Sequence, residues 1–186
     1  MLEWEQKRQH MSHYDSTAHI YNTRYAEEQD LKIRAMFEDL ELAGQSTALD
    51  LGCGTGLLLP ELQKTARSIV GLDISRRMLK EAERFRKYRE RVHFVLADAD
   101  HTPLRPRCFD AVFVLTLLQN MPNPRHSLQE VERIIKTNGL VVVTGLKKSF
   151  TEHSFVKLLK SGKLKVRLVK ADDEVKCHIA ICQKQK

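Results

Sequence analysis

Cysteine is scarce and scattered in this chain. Cys53, Cys108, Cys177 and Cys182 form no C-x-x-C pair, which argues against a structural zinc site or a disulfide framework and fits a reducing cytosol. Long apolar runs are missing as well. None approaches the ~20 residues that span a bilayer, and the opening MLEWEQKRQHMSHYD lacks the apolar core of a signal peptide. The expectation is therefore a cytoplasmic protein with no membrane association. No internal repeat or low-complexity segment is visible. His13 and His19 lie close together in sequence but without carboxylate or cysteine partners, so no metal is expected.

What remains is 186 residues, 42% hydrophobic and 30% charged, enough for one globular domain with a full core. The net charge is +7, and its placement says more than its total. Arg76–Arg91 holds eight Lys/Arg against three Glu, and Lys147–Lys170 holds eight against one Glu. Such clusters are a footprint for a polyanion; a solvated helix face and a solvated hairpin account for them equally well.

The order of elements is helix, then alternating strands and helices, then a hairpin. Residues 26–44 read as a helix, with Leu31, Ile33, Met36, Phe37 and Leu40 as the apolar face and Gly44 as the stop. Strands are expected at 46–51, 68–73, 92–98, 109–117 and 140–146. Helices are expected at 56–66, 75–89 with Ser75 as N-cap, 127–139 ending at Asn-Gly, and 151–162. Residues 164–170 and 174–183 flank a short turn at Ala171–Asp173 and read as an antiparallel hairpin. Alternation of this kind implies a parallel sheet covered on both faces. One link, from Asp98 to Phe109, has no room for a helix. About ten extended residues reach ~33 Å, enough to cross two strands spaced at about 4.8 Å.

The stretch ALDLGCGTGLL, Ala48–Leu58, is a glycine-rich strand-to-helix turn. Gly52-x-Gly54-x-Gly56 departs from the dinucleotide spacing G-x-G-x-x-G, because Leu57 stands at the third glycine. A P-loop's Gly-Lys-Ser/Thr ending is absent. Asp50, just before the turn, would repel a pyrophosphate and suit a cationic ligand without phosphate, such as S-adenosylmethionine.

LDLGCGTG resembles the first motif of class I S-adenosylmethionine-dependent methyltransferases. Asp73 in GLDIS, 23 residues after Asp50, stands where that family's acidic residue takes the ribose hydroxyls. Asp98 in LADAD stands at its adenine edge, and FDAVFVLTLLQNMPNP and NGLVVVTG match its fourth and fifth strands. The resemblance implies a doubly wound, mostly parallel seven-stranded α/β sheet of order 3-2-1-4-5-7-6, as one domain over 1–186. Residues 1–45 would form a helical lid and 46–186 a Rossmann-like core. It implies S-adenosyl-L-methionine as cofactor, held by Tyr14, Asp50, Gly52, Cys53, Gly54, Gly56, Asp73, Ile74, Met78, Asp98, Ala99 and Thr116. For Met78, core packing is an equal reading.

Methyl transfer is a displacement at an already activated carbon, so the protein mainly positions and desolvates. The Asn/Asp-Pro-Pro-Tyr/Phe motif of the family's exocyclic-amine enzymes is replaced here by Thr116–Met121. The stretch is more similar to quinone-biosynthesis-type methyltransferases and their RNA-acting relatives. Gln119, Asn120 and Tyr25 are the candidates on the substrate side, with a loop cap as the other reading of Gln119 and Asn120. Tyr14, Tyr21 and Tyr25, spaced by seven and four, share one helical face and form either a lid over the cofactor or a packing seam.

The expected function is methylation of tRNA or rRNA through the basic clusters; the alternatives are methylation of a small molecule under the lid, or cofactor binding without turnover. A protein acceptor is a further alternative. In the class I order strand three is an edge, and Val92–Ala97 is apolar on both faces with no Pro or Lys to guard it. Several relatives pair that edge with a small zinc-binding activator protein, which is the expected partner here. The chain's own N-terminal helix or a second copy would serve as well.

Overall fold

The protein is described by a computed structural model covering residues 2–40, 42, 44, 46–88, 90–170 and 174–184, without the side chains of 86–88. The turn expected at Ala171–Asp173 lies outside these residues. The elements are α1 (Glu3–Phe37), β1 (Thr47–Leu51), α2 (Leu59–Thr65), β2 (Ser68–Asp73), α3 (Arg76–Ala82) running into a 3₁₀ turn (Glu83–Tyr88), β3 (Val92–Leu96), β4 (Phe109–Val114), α4 (Pro124–Ile134), β5 (Ile135–Leu146), α5 (Glu152–Ser161), β6 (Leu164–Lys170) and β7 (Cys177–Lys184). The seven strands form one sheet of order β3-β2-β1-β4-β5-β7-β6. β7 is antiparallel to β5 and to β6, and the remaining pairs are parallel.

Strand periodicity divides the core into two layers. Along β4, Val112 and Val114 face α4 and α5 with Leu128, Val131, Phe155 and Leu159, all buried. Ala111 and Phe113 face the other way, onto Ile33 and Met36 of α1 and Leu59 and Leu62 of α2. Phe37 stacks on Phe113 at 6.1 Å between ring centroids. The helix-free link from β3 to β4 crosses β2 and β1 as expected. Glu130 Oε2 accepts from the Thr102 N–H, and Arg133 Nη1 donates to the Leu104 carbonyl, so α4 fastens the link.

Three elements differ from the sequence reading. The first helix begins at Glu3, not near residue 26, and ends at Phe37. Its buried positions include Lys7, Gln29 and Lys32, residues that read as solvent-facing, while Leu31 of the expected apolar face is 41% exposed. The helix expected to run to Gly139 stops at Ile134, and Ile135 already pairs with Phe109. Asn138 does adopt the left-handed conformation of a stop, φ 63°, inside a bulged stretch of β5. A Cβ on Gly139 would lie 2.6 Å from the Ile135 side chain, so glycine is required there. The 75–89 helix loses α geometry after Ala82, although Ser75 Oγ accepts from Met78 N at 3.1 Å as the expected cap.

Candidate active site

The site is built at the carboxyl ends of β1, β2 and β4, where open α/β sheets place their ligands. Gly52, Gly54 and Gly56 have φ of 79°, 52° and 78°, a region that costs other residues free energy. Their amides are already engaged. Gly52 N and Cys53 N donate to the Leu72 carbonyl at 2.7 and 3.0 Å, and Gly56 N donates to Cys53 O at 2.9 Å. Gly54 N donates to Asp73 Oδ2 at 2.8 Å. A phosphate cradle needs free N–H groups, and this loop presents none of these four.

The carboxylates supply the opposite preference. Asp50 is 2% exposed, and no cation stands against it among the described residues. Burial, then the charge of Asp73, pushes its pKa up to about 8. Such a group calls for a cationic ligand. Asp73 accepts backbone N–H groups from Gly54 and from Ser75 at 2.8 Å, and the Ile74 N–H acts on it as well. A carboxylate has about four acceptor sites, so capacity remains for a diol. Burial, the largest influence, raises its pKa, opposed by those N–H groups.

These residues line one cavity, open to solvent at its mouth, of the concave kind in which small-molecule sites are built. Of the residues expected on the cofactor, Tyr14, Asp50, Gly52, Cys53, Gly54, Asp73, Ile74, Met78, Asp98, Ala99 and Thr116 line it. Gly56 lies outside the lining. A Cβ there would meet Leu59 at 2.8 Å and Phe85 at 3.0 Å, so its role is to let the turn pack. Burial, the largest cause, holds the Cys53 thiol protonated, reinforced by Asp50 and Asp73, which removes it as a nucleophile. Among the described residues no cluster of three metal-ligating side chains is present.

On the substrate side the three candidates separate. Asn120 lines the cavity and donates to Tyr14 Oη at 2.9 Å and to the Thr116 carbonyl at 2.9 Å. Gln119 lies outside the lining, its amide turned back to the same carbonyl at 2.7 Å. Tyr25 also lies outside, 41% exposed, its ring 4.9 Å from that of Tyr21. Tyr14 and Tyr21 do meet, at 6.3 Å, and both line the cavity. Burial, the dominant cause, raises both phenols' pKa values, so both stay neutral.

Sequence reasoning missed the polar contacts of α1. Lys7 Nζ lies 2.7 Å from Asp98 and 2.6 Å from Asp100. Ser75 Oγ donates to Asp15 at 2.5 Å, and Thr55 Oγ1 lies 2.6 Å from the Asn22 amide. Lys32 Nζ donates to Thr116 Oγ1 at 2.9 Å. A signal was present: Lys7 precedes Tyr14 by the same seven residues that separate Tyr14 from Tyr21, so one stripe carries all three.

The basic clusters disperse. Arg91 donates to the carbonyls of Gln63, Ala66 and Arg67 at the end of α2; Arg89 and the side chains of Arg86 and Lys87 lie outside the described residues. β6 runs antiparallel to β7, so that Lys165 pairs with Gln183, which pairs in turn with Leu140 at the sheet's far end. Lys170, at the cavity end, is paired with Glu38 and Asp39.

Comparison with known proteins agrees with this geometry. Residues 49–143 match the family model described as a methyltransferase domain. The chain is 34% identical over 143 residues to a malonyl-[acyl-carrier protein] O-methyltransferase from a Marinomonas species, covering 75% of this chain and 52% of that protein. It is 37% identical over 95 residues to a demethylmenaquinone methyltransferase from Clavibacter sepedonicus, covering 51% and 39%. The chain thus spans about half or less of these curated relatives. Among solved structures, a methyltransferase in complex with the Trm112 activator from Haloferax volcanii superposes with a TM-score of 0.77 at 15% identity, covering 93% of this chain and 98% of that one. The protein belongs to the methyltransferase-domain family, whose class I fold binds S-adenosylmethionine.

Proposed function

We propose that the protein transfers the methyl group of S-adenosylmethionine to a small molecule held between α1 and the end of β4. The observation that carries this reading is α1 itself. It lies over the cavity, tied at Lys7, Asp15, Asn22 and Lys32, so an acceptor reaches the methyl group only inside a covered pocket. When bound, the cofactor supplies an activated methyl on a sulfonium. Asp50 faces its positive charge, Asp73 its ribose diol, and Met78, Ile74 and Ala99 its adenine. Asn120 and Tyr14 orient the acceptor while α1 excludes water.

An RNA acceptor has less support, because Lys165 lies at the far end of the sheet, Lys170 is paired with Glu38 and Asp39, and Arg91 caps α2. The two relatives are named for malonyl-[acyl-carrier protein] and demethylmenaquinone, neither of which is a nucleic acid. Tritiated cofactor incubated with fractionated cell extract decides the matter. The expected label survives RNase and protease in the low-mass fraction, and its formation barely changes with salt. Label released by RNase, with turnover falling steeply as counterions compete, would establish the polyanion instead.

The free edge of β3 takes a partner strand. Among the described residues β3 pairs only with β2, and Leu96 is 51% exposed on it. A solved relative of this fold is complexed with an activator, which supports a small zinc-binding activator as the partner through β-augmentation. Expression alone should give poorly soluble protein that co-expression with such an activator rescues. A soluble monomer whose Val92–Leu96 amides exchange slowly without a partner would overturn this.

A further inference from the structure

We propose that Thr116 and Lys32 form a proton relay from the methyl acceptor into the protein interior, and that the acceptor is a weakly acidic hydroxyl, a phenol or an enol. This rests on the methyltransferase reading above.

Lys32 is 0% exposed, an unusual position for a side chain carrying charge. Its Nζ donates to Thr116 Oγ1 at 2.9 Å and to Gln29 Oε1 at 3.3 Å. On its own helix Glu28 stands 3.9 Å away, and that carboxylate is shared with Lys176 at 3.0 Å. Cys177 of β7 and Lys176 before it are the other ionisable groups that act on it. Burial, the largest influence, pushes the Lys32 pKa down, toward an amine able to accept a proton.

Thr116 stands between this amine and the cavity. It leaves β4 with φ 55°, strained for a β-branched residue. The strain is held from every side. Its N–H donates to Thr144 Oγ1 at 2.8 Å, and its carbonyl accepts from Gln119 and Asn120. Its hydroxyl meets Lys32 and the Gln29 amide, the latter at 3.4 Å. The residue lines the cavity beside Tyr21 and Asn120 while its hydroxyl meets the buried amine, so it links the amine to the acceptor space.

Transfer to a hydroxyl must dispose of its proton. The acceptor's O–H proton moves to Thr116 Oγ as the threonine's own proton moves to the Lys32 lone pair. The acceptor oxygen bonds to the methyl carbon, the carbon–sulfur bond breaks with its electron pair on sulfur, and S-adenosylhomocysteine leaves. The positive charge of the sulfonium ends on Lys32, and net charge is conserved. A carboxylate acceptor, already ionised, would need no relay.

The test uses the full chain saturated with S-adenosylhomocysteine and 4-nitrophenol as a probe whose ionisation is read by absorbance. At a pH where the free probe is mostly protonated, the wild-type complex should show bound phenolate with no proton released to buffer. Lys32→Met should lower the phenolate-to-phenol ratio at least ~10-fold, equivalent to about one pKa unit, read in protein that calorimetry shows to be saturated with S-adenosylhomocysteine. Methionine fills the lysine's volume, a replacement that buried charges often tolerate. Thr116→Ser should keep the phenolate and Thr116→Val should lose it. Absence of probe binding, a neutral bound phenol in the wild type, or phenolate surviving in Lys32→Met would overturn the relay while leaving the cofactor site standing. Failure of the wild type to bind S-adenosylhomocysteine would sink both readings together.

Discussion

Replacing Asp73 by alanine should weaken S-adenosylmethionine binding by roughly 1.5–3 kcal/mol, the scale of hydrogen bonds to a charged group, or about 10- to 150-fold in Kd. Two losses combine. The ribose diol loses its carboxylate acceptor, and the N–H groups of Gly54 and Ser75 lose the oxygens that fix the glycine turn. Asp73→Asn separates them, because its one carbonyl oxygen still accepts but its charge is gone. Its affinity should fall between wild type and Asp73→Ala. Isothermal calorimetry with S-adenosylmethionine and S-adenosylhomocysteine measures both variants. Unchanged affinity in Asp73→Ala would remove this residue from the site.

That Asp73 was legible in sequence and Lys7 was not has a physical reason. Asp73 ends an apolar strand beside a second strand that runs into a turn with three glycines, and the parallel pairing of Asp50 with Gly71 brings the two strand ends to one place. Local pattern and global fold specify the same position. The strand order and helix-free crossover were legible for the same reason, since continuous apolar runs such as Val141–Val143 are buried on both faces. α1 obeys a different rule. Ile33, Ala35, Met36 and Phe37 near its end pack into the apolar core, and upstream it docks mainly through polar contacts with groups distant in sequence. Lys7 and Asp98 are 91 residues apart, and the seven-residue spacing from Lys7 to Tyr14 and Tyr21 is the one local sign that it faces inward. The basic clusters by themselves fix no ligand, for the converse reason. Charge density along the chain does not say which end of a strand a side chain occupies, and Lys165 and Lys170 lie at opposite ends of β6.

The second large effect is on pH. In the ligand-free protein burial pushes Asp50 up to about 8 from an ordinary value of 3.8. Between those values the folded chain keeps a proton that the unfolded chain releases. The resulting stabilisation is full below the ordinary value and is lost as pH rises through about 8. A cationic ligand requires the ionised carboxylate, so binding below pH 8 must expel that proton. Affinity for S-adenosylmethionine should therefore rise with pH, by up to about tenfold per unit, and level off near 8. Loss of the proton on the ligand's own ammonium group then ends the rise. Asp50→Asn should flatten the rising limb and abolish proton release, and because the amide carries no charge it should also bind more weakly at pH 8. Calorimetry near pH 7 in two buffers of different ionisation enthalpy counts the proton directly. Stability reports the same linkage, since the gain in Tm from saturating cofactor should widen from pH 6 to pH 8. Affinity independent of pH, with equal heats in both buffers, would mean that Asp50 does not face the ligand's charge.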